Sequence, residues 1–228
     1  MSRKRRIAIY GGTFDPVHLA HLEIARKVLQ LFEVDQFLFV PALRAPHKLE
    51  REVTAPVHRY AMLALATQEE SKILVSTFEL EAPDRRYTVD TLEHFRSKFE
   101  KSADLFFVMG GDSWAEIATW RDFERLMTMA NHIVVTRPGY ELTQDSLGVA
   151  FGSRIVDLRG SNSLSQFRNN DSVSKKIFLT DAVMLDISAS KVRSVARTEQ
   201  FSDLLKLVPP AVAKYISKYR LYRNSNEA

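Results

Sequence analysis

Two glycines and two histidines near the N-terminus have the types and the spacing needed to hold a phosphate. Gly11 and Gly12 follow a short apolar run, and without side chains they let the backbone approach a phosphate closely. His18 and His21 are three residues apart, so on a helix they share one face and can donate hydrogen bonds to phosphate oxygens. Unpaired N–H groups at the start of that helix also favour an anion. The segment predicts a phosphate-binding strand–turn–helix junction.

Two other interpretations of this segment stay open. The first is an ordinary strand–turn–helix junction in which both histidines are incidental. The second is a metal site at His18 and His21, but no third ligand stands at an obvious spacing. No residue is therefore predicted to bind a metal directly.

Alternating strands and helices are predicted to position these residues. Apolar runs predict strands at 6–10, 36–40, 73–78, 105–109, 132–136 and 177–185, with a possible short strand at 154–158. Helical spacing predicts helices at 18–31, 57–70 and 89–99 with Thr88 as N-cap, then from near Ser188 and after Pro209. The order indicates an α/β, Rossmann-like, doubly wound and mostly parallel sheet with a small C-terminal helical part.

The predicted organisation is one domain over residues 1–228. Its Rossmann-like core covers about 1–186, and the C-terminal helical part covers about 187–228. Residues 141–174 are rich in Ser, Asn, Asp and Gly, and they predict a loop-rich insertion.

Composition excludes several kinds of chemistry. The 228 residues include no cysteine, which excludes disulfides, thiolate zinc sites and cysteine nucleophiles. The net charge of +4 suits phosphorylated small molecules. The sequence has no aromatic-interleaved basic stripe of the kind that RNA-binding modules carry, so no nucleic-acid partner is expected.

The basic N-terminus does not predict a secretion signal. The run Arg3–Arg6 is followed by only four apolar residues before Gly11, which is too short for a signal sequence. No apolar stretch is long enough to span a bilayer. We expect a cytoplasmic protein with no membrane partner, and we expect the basic run to be a solvated terminus.

The glycine turn and its histidines resemble the nucleotidylyltransferase superfamily, whose mark is a glycine-rich turn followed by His-x-Gly-His. Ala20 stands where that family usually has glycine. Other segments are similar to bacterial nicotinate mononucleotide adenylyltransferases. They are PALRAPHK at 41–48, YTVDTL at 87–92, GGD at 110–112, TW at 119–120, RPG at 137–139 and ISASKVR at 187–193.

The resemblance implies transfer of the adenylyl group of ATP to nicotinate mononucleotide, with Mg²⁺ bound through the ATP phosphates. It implies catalytic roles for His18, His21, Lys48 and Arg193. It implies that ATP contacts Gly11, Gly12, Thr13, Phe14, His18, His21, Gly110, Asp112, Ile187, Ser188 and Arg193. It implies that nicotinate mononucleotide contacts Lys48, Tyr87, Thr88 and Trp120.

Three alternatives remain at this point. The chain could be another adenylyltransferase of the same fold, acting on pantetheine phosphate or on nicotinamide mononucleotide, although segments 87–92 and 119–120 argue against the former. It could be a non-catalytic nucleotide-binding protein, for which Ala20 and Ala189 are the only hints. It could bind RNA through its basic N-terminus. The sequence also leaves open whether the protein forms a homo-oligomer.

Overall fold

A computed structural model describes most of the chain and shows strands alternating with helices. The described residues are 3–43, 53–81, 87–99, 102–136, 149–160, 175–183 and 185–223. The strands are β1 (Arg5–Gly12), β2 (Gln36–Pro41), β3 (Ile73–Val75), β4 (Ala103–Gly110), β5 (Asn131–Val135), β6 (Ile155–Asp157) and β7 (Ile177–Thr180). They form one sheet in the order β3-β2-β1-β4-β5-β7-β6, and every pair is parallel.

The helices connect these strands and extend the chain beyond the last of them. They are α1 (Leu19–Leu31), α2 (Pro56–Thr67), α3 (Phe78–Glu81), α4 (Thr88–Phe99), α5 (Gly111–Ala115), α6 (Phe123–Met129), α7 (Val149–Gly152), α8 (Ala189–Arg197), α9 (Phe201–Leu204) and α10 (Pro210–Lys218). A short 3-10 helix covers Ile117–Thr119. In the ranges given above, no helix is long and apolar enough to cross a membrane.

Both faces of the sheet are covered, as the doubly wound prediction requires. Side chains alternate along a strand, so Ile7 and Ile9 of β1 point to one face while Ala8 and Tyr10 point to the other. The first pair belongs to an apolar cluster with α4 and α6. The second pair belongs to a cluster with α1, α2 and the C-terminal helices. The predicted Rossmann-like α/β class is confirmed.

The C-terminal helices pack directly on the core. Val192 of α8, Leu204 of α9 and Val212 of α10 are buried in the same cluster as the apolar side of α1. The main-chain N–H of Leu19 also donates to the carbonyl of Leu207 at 2.9 Å. These contacts support the predicted single domain, which remains a prediction.

Some predicted boundaries were wrong for local reasons. The strand at 73–78 ends at Val75, because the Ser76 hydroxyl accepts from the N–H of Phe78 at 3.2 Å and turns the chain into α3. Helix α4 begins at Thr88, so Tyr87 and not Thr88 takes the N-cap position, and its carbonyl accepts from Thr91 at 3.4 Å. The strand at 177–185 ends at Thr180.

Candidate active site

The site lies where the chain reverses direction across the sheet. Strands β1 and β4 are neighbours, but their following segments leave on opposite sides, which opens a crevice at their carboxyl ends. Gly12 ends β1 and Gly110 ends β4. A cleft of about 610 Å³ occupies this position and is lined by residues of the glycine turn, α1, α4, the 110–121 segment and α8. This is the place where open α/β sheets bind ligands.

The glycine-rich turn is shaped by a buried aromatic ring. Phe14 adopts a positive φ of 49° and is only 3% exposed, with its ring edge-on to Tyr10 at 5.4 Å and Phe39 at 5.2 Å. A Cβ at position 12 would lie 2.9 Å from this ring, which is held on several sides. Gly12 is therefore required for the turn to close. Thr13 and Asp15 in the same turn also line the cleft.

The two predicted histidines lie together at the start of α1. Their rings stack with centroids 3.6 Å apart, although His18 is the N-cap residue and only His21 lies within the helix. The main-chain N–H of His18 donates to Nδ1 of His21 at 3.2 Å. Because Nδ1 acts as an acceptor, the proton of neutral His21 lies on Nε2. His21 can thus present an N–H donor, and both residues line the cleft.

Arg193 on α8 contacts the glycine-rich turn directly. It is 9% exposed, and its Nη1 donates to the carbonyl of Asp15 at 2.7 Å while its Nη2 donates to Ser190 Oγ at 2.9 Å. Helix α8 begins after Ser188, whose hydroxyl accepts from Lys191 N at 3.2 Å as an N-cap. Ser188 and Arg193 line the cleft. The half-buried Ile187 is not among the lining residues and packs against the core.

The described residues that the resemblance implies for nicotinate mononucleotide also lie in the cleft. Tyr87, Thr88 and Trp120 all line it. Trp120 lies edge-on to Phe107 with centroids 6.3 Å apart. Its indole N–H is buried, and no atom of the described residues accepts a hydrogen bond from it. Arg121, which the sequence did not single out, places its guanidinium 4.6 Å from the centre of the Tyr87 ring.

Glu79 is a second lining residue that the sequence analysis missed. Its Oε1 accepts from the Thr91 hydroxyl at 2.6 Å. Burial raises the pKa of this carboxyl to about 7, and the Thr91 hydrogen bond and the charge of Arg59 only partly oppose that effect. The chain has 28 acidic residues, and no sequence pattern distinguishes Glu79 from the others. Its burial depends on the fold.

The remaining predicted site residues divide into two groups. Gly110 and Asp112 line the cleft at the start of α5, opposite the glycine-rich turn. Lys48 lies outside the described residues, as does the Arg137-Pro138-Gly139 segment. Across the described ranges, no group of three His, Asp or Glu side chains could hold a metal ion.

Sequence comparisons define the class of protein to which this chain belongs. The cytidylyltransferase-like family model matches residues 9–195, so the chain belongs to that family. A protein of Thermoanaerobacter sp. is 35% identical over 227 residues, covering 100% of this chain and 99% of its own. One of Tropheryma whipplei is 37% identical over 214 residues, covering 94% and 98%. Both carry the name probable nicotinate-nucleotide adenylyltransferase, and within the wider family this chain belongs with the nicotinate-nucleotide adenylyltransferases.

Solved structures agree on the fold. The nicotinic acid mononucleotide adenylyltransferase of Plasmodium falciparum, complexed with NaAD, superposes with a TM-score of 0.72 at 22% identity, covering 96% of this chain and 97% of its own. The same enzyme complexed with APC gives a TM-score of 0.70. At this level of identity the likeness concerns the architecture, and the roles of individual residues depend on the geometry of the cleft.

Proposed function

We propose that this chain transfers the adenylyl group of ATP to nicotinate mononucleotide, forming nicotinate adenine dinucleotide and pyrophosphate in NAD biosynthesis. One observation carries the proposal. The cleft at the β1/β4 crevice is lined both by the glycine-rich turn with the adjacent His18 and His21 and by Trp120. Membership of the nicotinate-nucleotide adenylyltransferases supports the same reaction.

ATP occupies the half of the cleft between the two glycine segments. The backbone of residues 11–14 and of Gly110 and Asp112 holds the adenosine, since both segments end strands at the crevice. The N–H groups at the start of α1 and Nε2 of His21 donate to phosphate oxygens. Arg193 adds positive charge from α8, and Lys48 adds it from the 44–52 segment.

Nicotinate mononucleotide occupies the other half. Trp120 lines this part of the cleft and stacks on the pyridine ring. Thr88 is the first residue of α4, so its main-chain N–H has no partner within the helix and can donate to the carboxylate. Tyr87 closes this end beside Arg121.

The reaction is an in-line displacement. A 5′-phosphate oxygen of nicotinate mononucleotide attacks the α-phosphorus of ATP, a new P–O bond forms, and the α–β bridging bond breaks. Pyrophosphate leaves with the electron pair of that bond. Because a phosphate is already a competent nucleophile, the protein supplies positioning and charge stabilisation and no covalent intermediate.

In this proposal, Mg²⁺ binds to the protein through the phosphates of ATP. The N–H groups at the start of α1 and the Arg193 guanidinium are donors, which suit phosphate oxygens and not a cation, while the Asp15 carboxylate of the same turn accepts from Tyr222. Asp112, an exposed carboxylate that lines the cleft, could meet the water shell of the metal. When bound, Mg²⁺ neutralises charge on the phosphate oxygens.

Pyrophosphate release from ATP tests the proposal when it is measured with separate acceptors. Nicotinate mononucleotide should support release, while pantetheine phosphate and an RNA oligonucleotide should not. The matching dinucleotide should appear in equal amount to pyrophosphate. Release with pantetheine phosphate alone would identify a different transferase, and ATP binding without release would identify a nucleotide-binding protein.

A further inference from the structure

Asp15 brings a buried carboxylate into the glycine-rich turn. The residue lines the cleft and is only 4% exposed. Burying a carboxylate is costly unless hydrogen bonds and positive charges compensate it. Its Oδ1 accepts from the hydroxyl of Tyr222 at 2.9 Å, from a residue 207 positions away in the sequence. The C-terminal segment therefore supplies a donor to the turn that is proposed to hold ATP.

The main chain of Asp15 also holds Arg193. The carbonyl of Asp15 accepts from Nη1 of Arg193 at 2.7 Å, while Ser190 Oγ accepts from Nη2 at 2.9 Å. These two acceptors fix the plane of the guanidinium, because its donors form a rigid fork. If Asp15 shifts, one acceptor shifts with it, and the orientation of a guanidinium that lines the cleft changes. Asp15 thus links Tyr222 to a positive charge of the site.

The turn that ends α10 brings Tyr222 back to the core. Arg220 lies in the left-handed region with a φ of 50°, and the N–H of Leu221 donates to the carbonyl of Ile216 at 3.1 Å. This is the Schellman arrangement, in which the chain reverses after a helix. Tyr222 follows with a φ of 69°, which is uncommon for a bulky residue, and it packs with Leu221 against the core. The surrounding contacts therefore hold this ring in one place.

The hydroxyl of Tyr222 stays protonated and acts as a donor. Burial, and after it the negative charge of Asp15, raise the pKa of Tyr222 well above its ordinary value. The positive charge of Arg193 opposes this effect only in part. Phenylalanine has the same ring without the hydroxyl, so a Tyr222→Phe substitution removes the donor and keeps the packing.

We propose that Tyr222 is a positioning residue for adenylyl transfer, because its hydroxyl holds Asp15 and, through Asp15, sets the Arg193 guanidinium in the cleft. Tyr222 is not among the described residues that line the cleft, so it acts through the turn and not on a substrate. The inference rests on the proposed function and on the role proposed there for Arg193. It gives the C-terminal helical part a task in the reaction besides packing.

The first test compares Tyr222→Phe with Tyr219→Phe. Tyr219 is the matched control because it lies in the same segment, is 48% exposed and does not line the cleft. A misplacement of about 1 Å can cost 10²-fold in rate, so the kcat of Tyr222→Phe should fall about 10-fold or more. The KM for nicotinate mononucleotide should stay close to the wild-type value, because the Tyr222–Asp15–Arg193 contacts do not include Thr88 or Trp120. Tyr219→Phe should match the wild type in both constants.

Circular dichroism and the thermal midpoint show that each variant is folded, and kcat is compared well below both midpoints. A folded Tyr222→Phe with unchanged kcat would overturn the inference. A rise in the KM for nicotinate mononucleotide with kcat unchanged would also overturn it, because that pattern reflects lost ground-state binding alone.

A double-mutant cycle with Arg193→Lys tests the path of the effect. A lysine ammonium cannot bond the Asp15 carbonyl and Ser190 Oγ as the planar guanidinium does. If Tyr222 acts by setting Arg193, the Tyr222→Phe substitution should lower kcat only slightly in the Arg193→Lys background. If the two losses multiply, Tyr222 does not act through Arg193, and the inference fails while the proposed function stands.

The wild-type protein separates failure of the inference from failure of the proposed function. If it releases no pyrophosphate with nicotinate mononucleotide, the proposed function fails and the inference falls with it. If the wild type is active but Arg193→Lys retains full turnover, the role of Arg193 and the inference both fail, and adenylyl transfer itself stands.

Discussion

Main-chain atoms orient the side chains around the cleft. Nδ1 of His21 accepts from the backbone of His18, and Arg193 donates to the carbonyl of Asp15. The residue types at these positions could be read from the sequence, because glycines and histidines at this spacing suit phosphate binding. Their partners could not, since hydrogen bonds between residues 15 and 193 depend on how distant segments pack.

Replacing His21 with alanine should lower kcat by about 10²-fold or more, the range seen when one transition-state donor is lost. The reason is its orientation, since Nδ1 accepts from the backbone and the proton lies on Nε2, the nitrogen that can donate to a phosphate oxygen. ATP affinity, measured by calorimetry, should fall less than turnover. His58→Ala is the control, because His58 bonds to Tyr215 and does not line the cleft. Near-normal kcat in the His21 variant would contradict the assigned role.

Glu79 should make stability depend on pH in a defined direction. Its folded pKa of about 7 lies above the ordinary value of 4.5, because burial disfavours the charged form. Ionisation therefore destabilises the fold progressively as pH rises between these values, and the full cost is present above about pH 7.

The Glu79→Gln variant lacks this ionisation, so it should gain stability relative to the wild type as pH rises from about 5 to about 8. The gain should be on the order of 1–3 kcal/mol, at about 1.4 kcal/mol per pKa unit. Urea unfolding at several pH values measures it, with the exposed Glu69→Gln as control. A difference that stays constant with pH would show that Glu79 is ionised normally.

Longer elements were predictable from periodicity, and short ones were not. Helix α1 follows regular apolar spacing and strand β2 is a continuous apolar run, and the structure places both within one or two residues of the prediction. Helices α5 and α6 contain five and seven residues, too few for a pattern to emerge. The hydrogen bond that the Phe78 N–H donates to the Ser76 hydroxyl redirects the chain into α3, and periodicity carries no signal for that contact.

The first residues should be dispensable for catalysis because β1 begins at Arg5. Arg3 pairs with Asp35 at 2.8 Å, but both side chains are substantially exposed, and such pairs contribute about 0–1 kcal/mol. Deleting residues 2–4 should leave kcat/KM unchanged and lower the free energy of unfolding by no more than about 1 kcal/mol. A longer deletion through Arg6 should unfold the N-terminal end of β1, since Arg6 forms hydrogen bonds with Asp35 and Phe32. Lost activity in the short deletion would assign the terminus a role in the site.

The sheet order explains why residues far apart in sequence meet in one cleft. Placing β4 beside β1 brings the 110–121 segment opposite the glycine-rich turn, and α8 closes the cleft through Arg193. The alternation of strands and helices predicted a parallel sheet, but it did not predict this order, because many orders satisfy the same alternation. Residue types and spacing located the glycine turn and its two histidines, and the other cleft residues were located only through their resemblance to a known family.

The central claim is that the protein transfers the adenylyl group of ATP to nicotinate mononucleotide in preference to nicotinamide mononucleotide. N–H groups at the start of α4 could donate to both oxygens of a carboxylate, while a carboxamide there would face donors with its own NH₂. The raised pKa of Glu79 lessens the negative charge nearby at neutral pH. Each mispaired buried group costs about 1–3 kcal/mol, so two should give a preference on the order of 10²-fold or more.

The most direct measurement is kcat/KM for nicotinate mononucleotide and for nicotinamide mononucleotide at saturating Mg-ATP. We predict a preference for the acid on the order of 10²-fold or more, at about 1.4 kcal/mol per factor of ten. Equal values, or a preference for the amide, would contradict the assignment of this cleft.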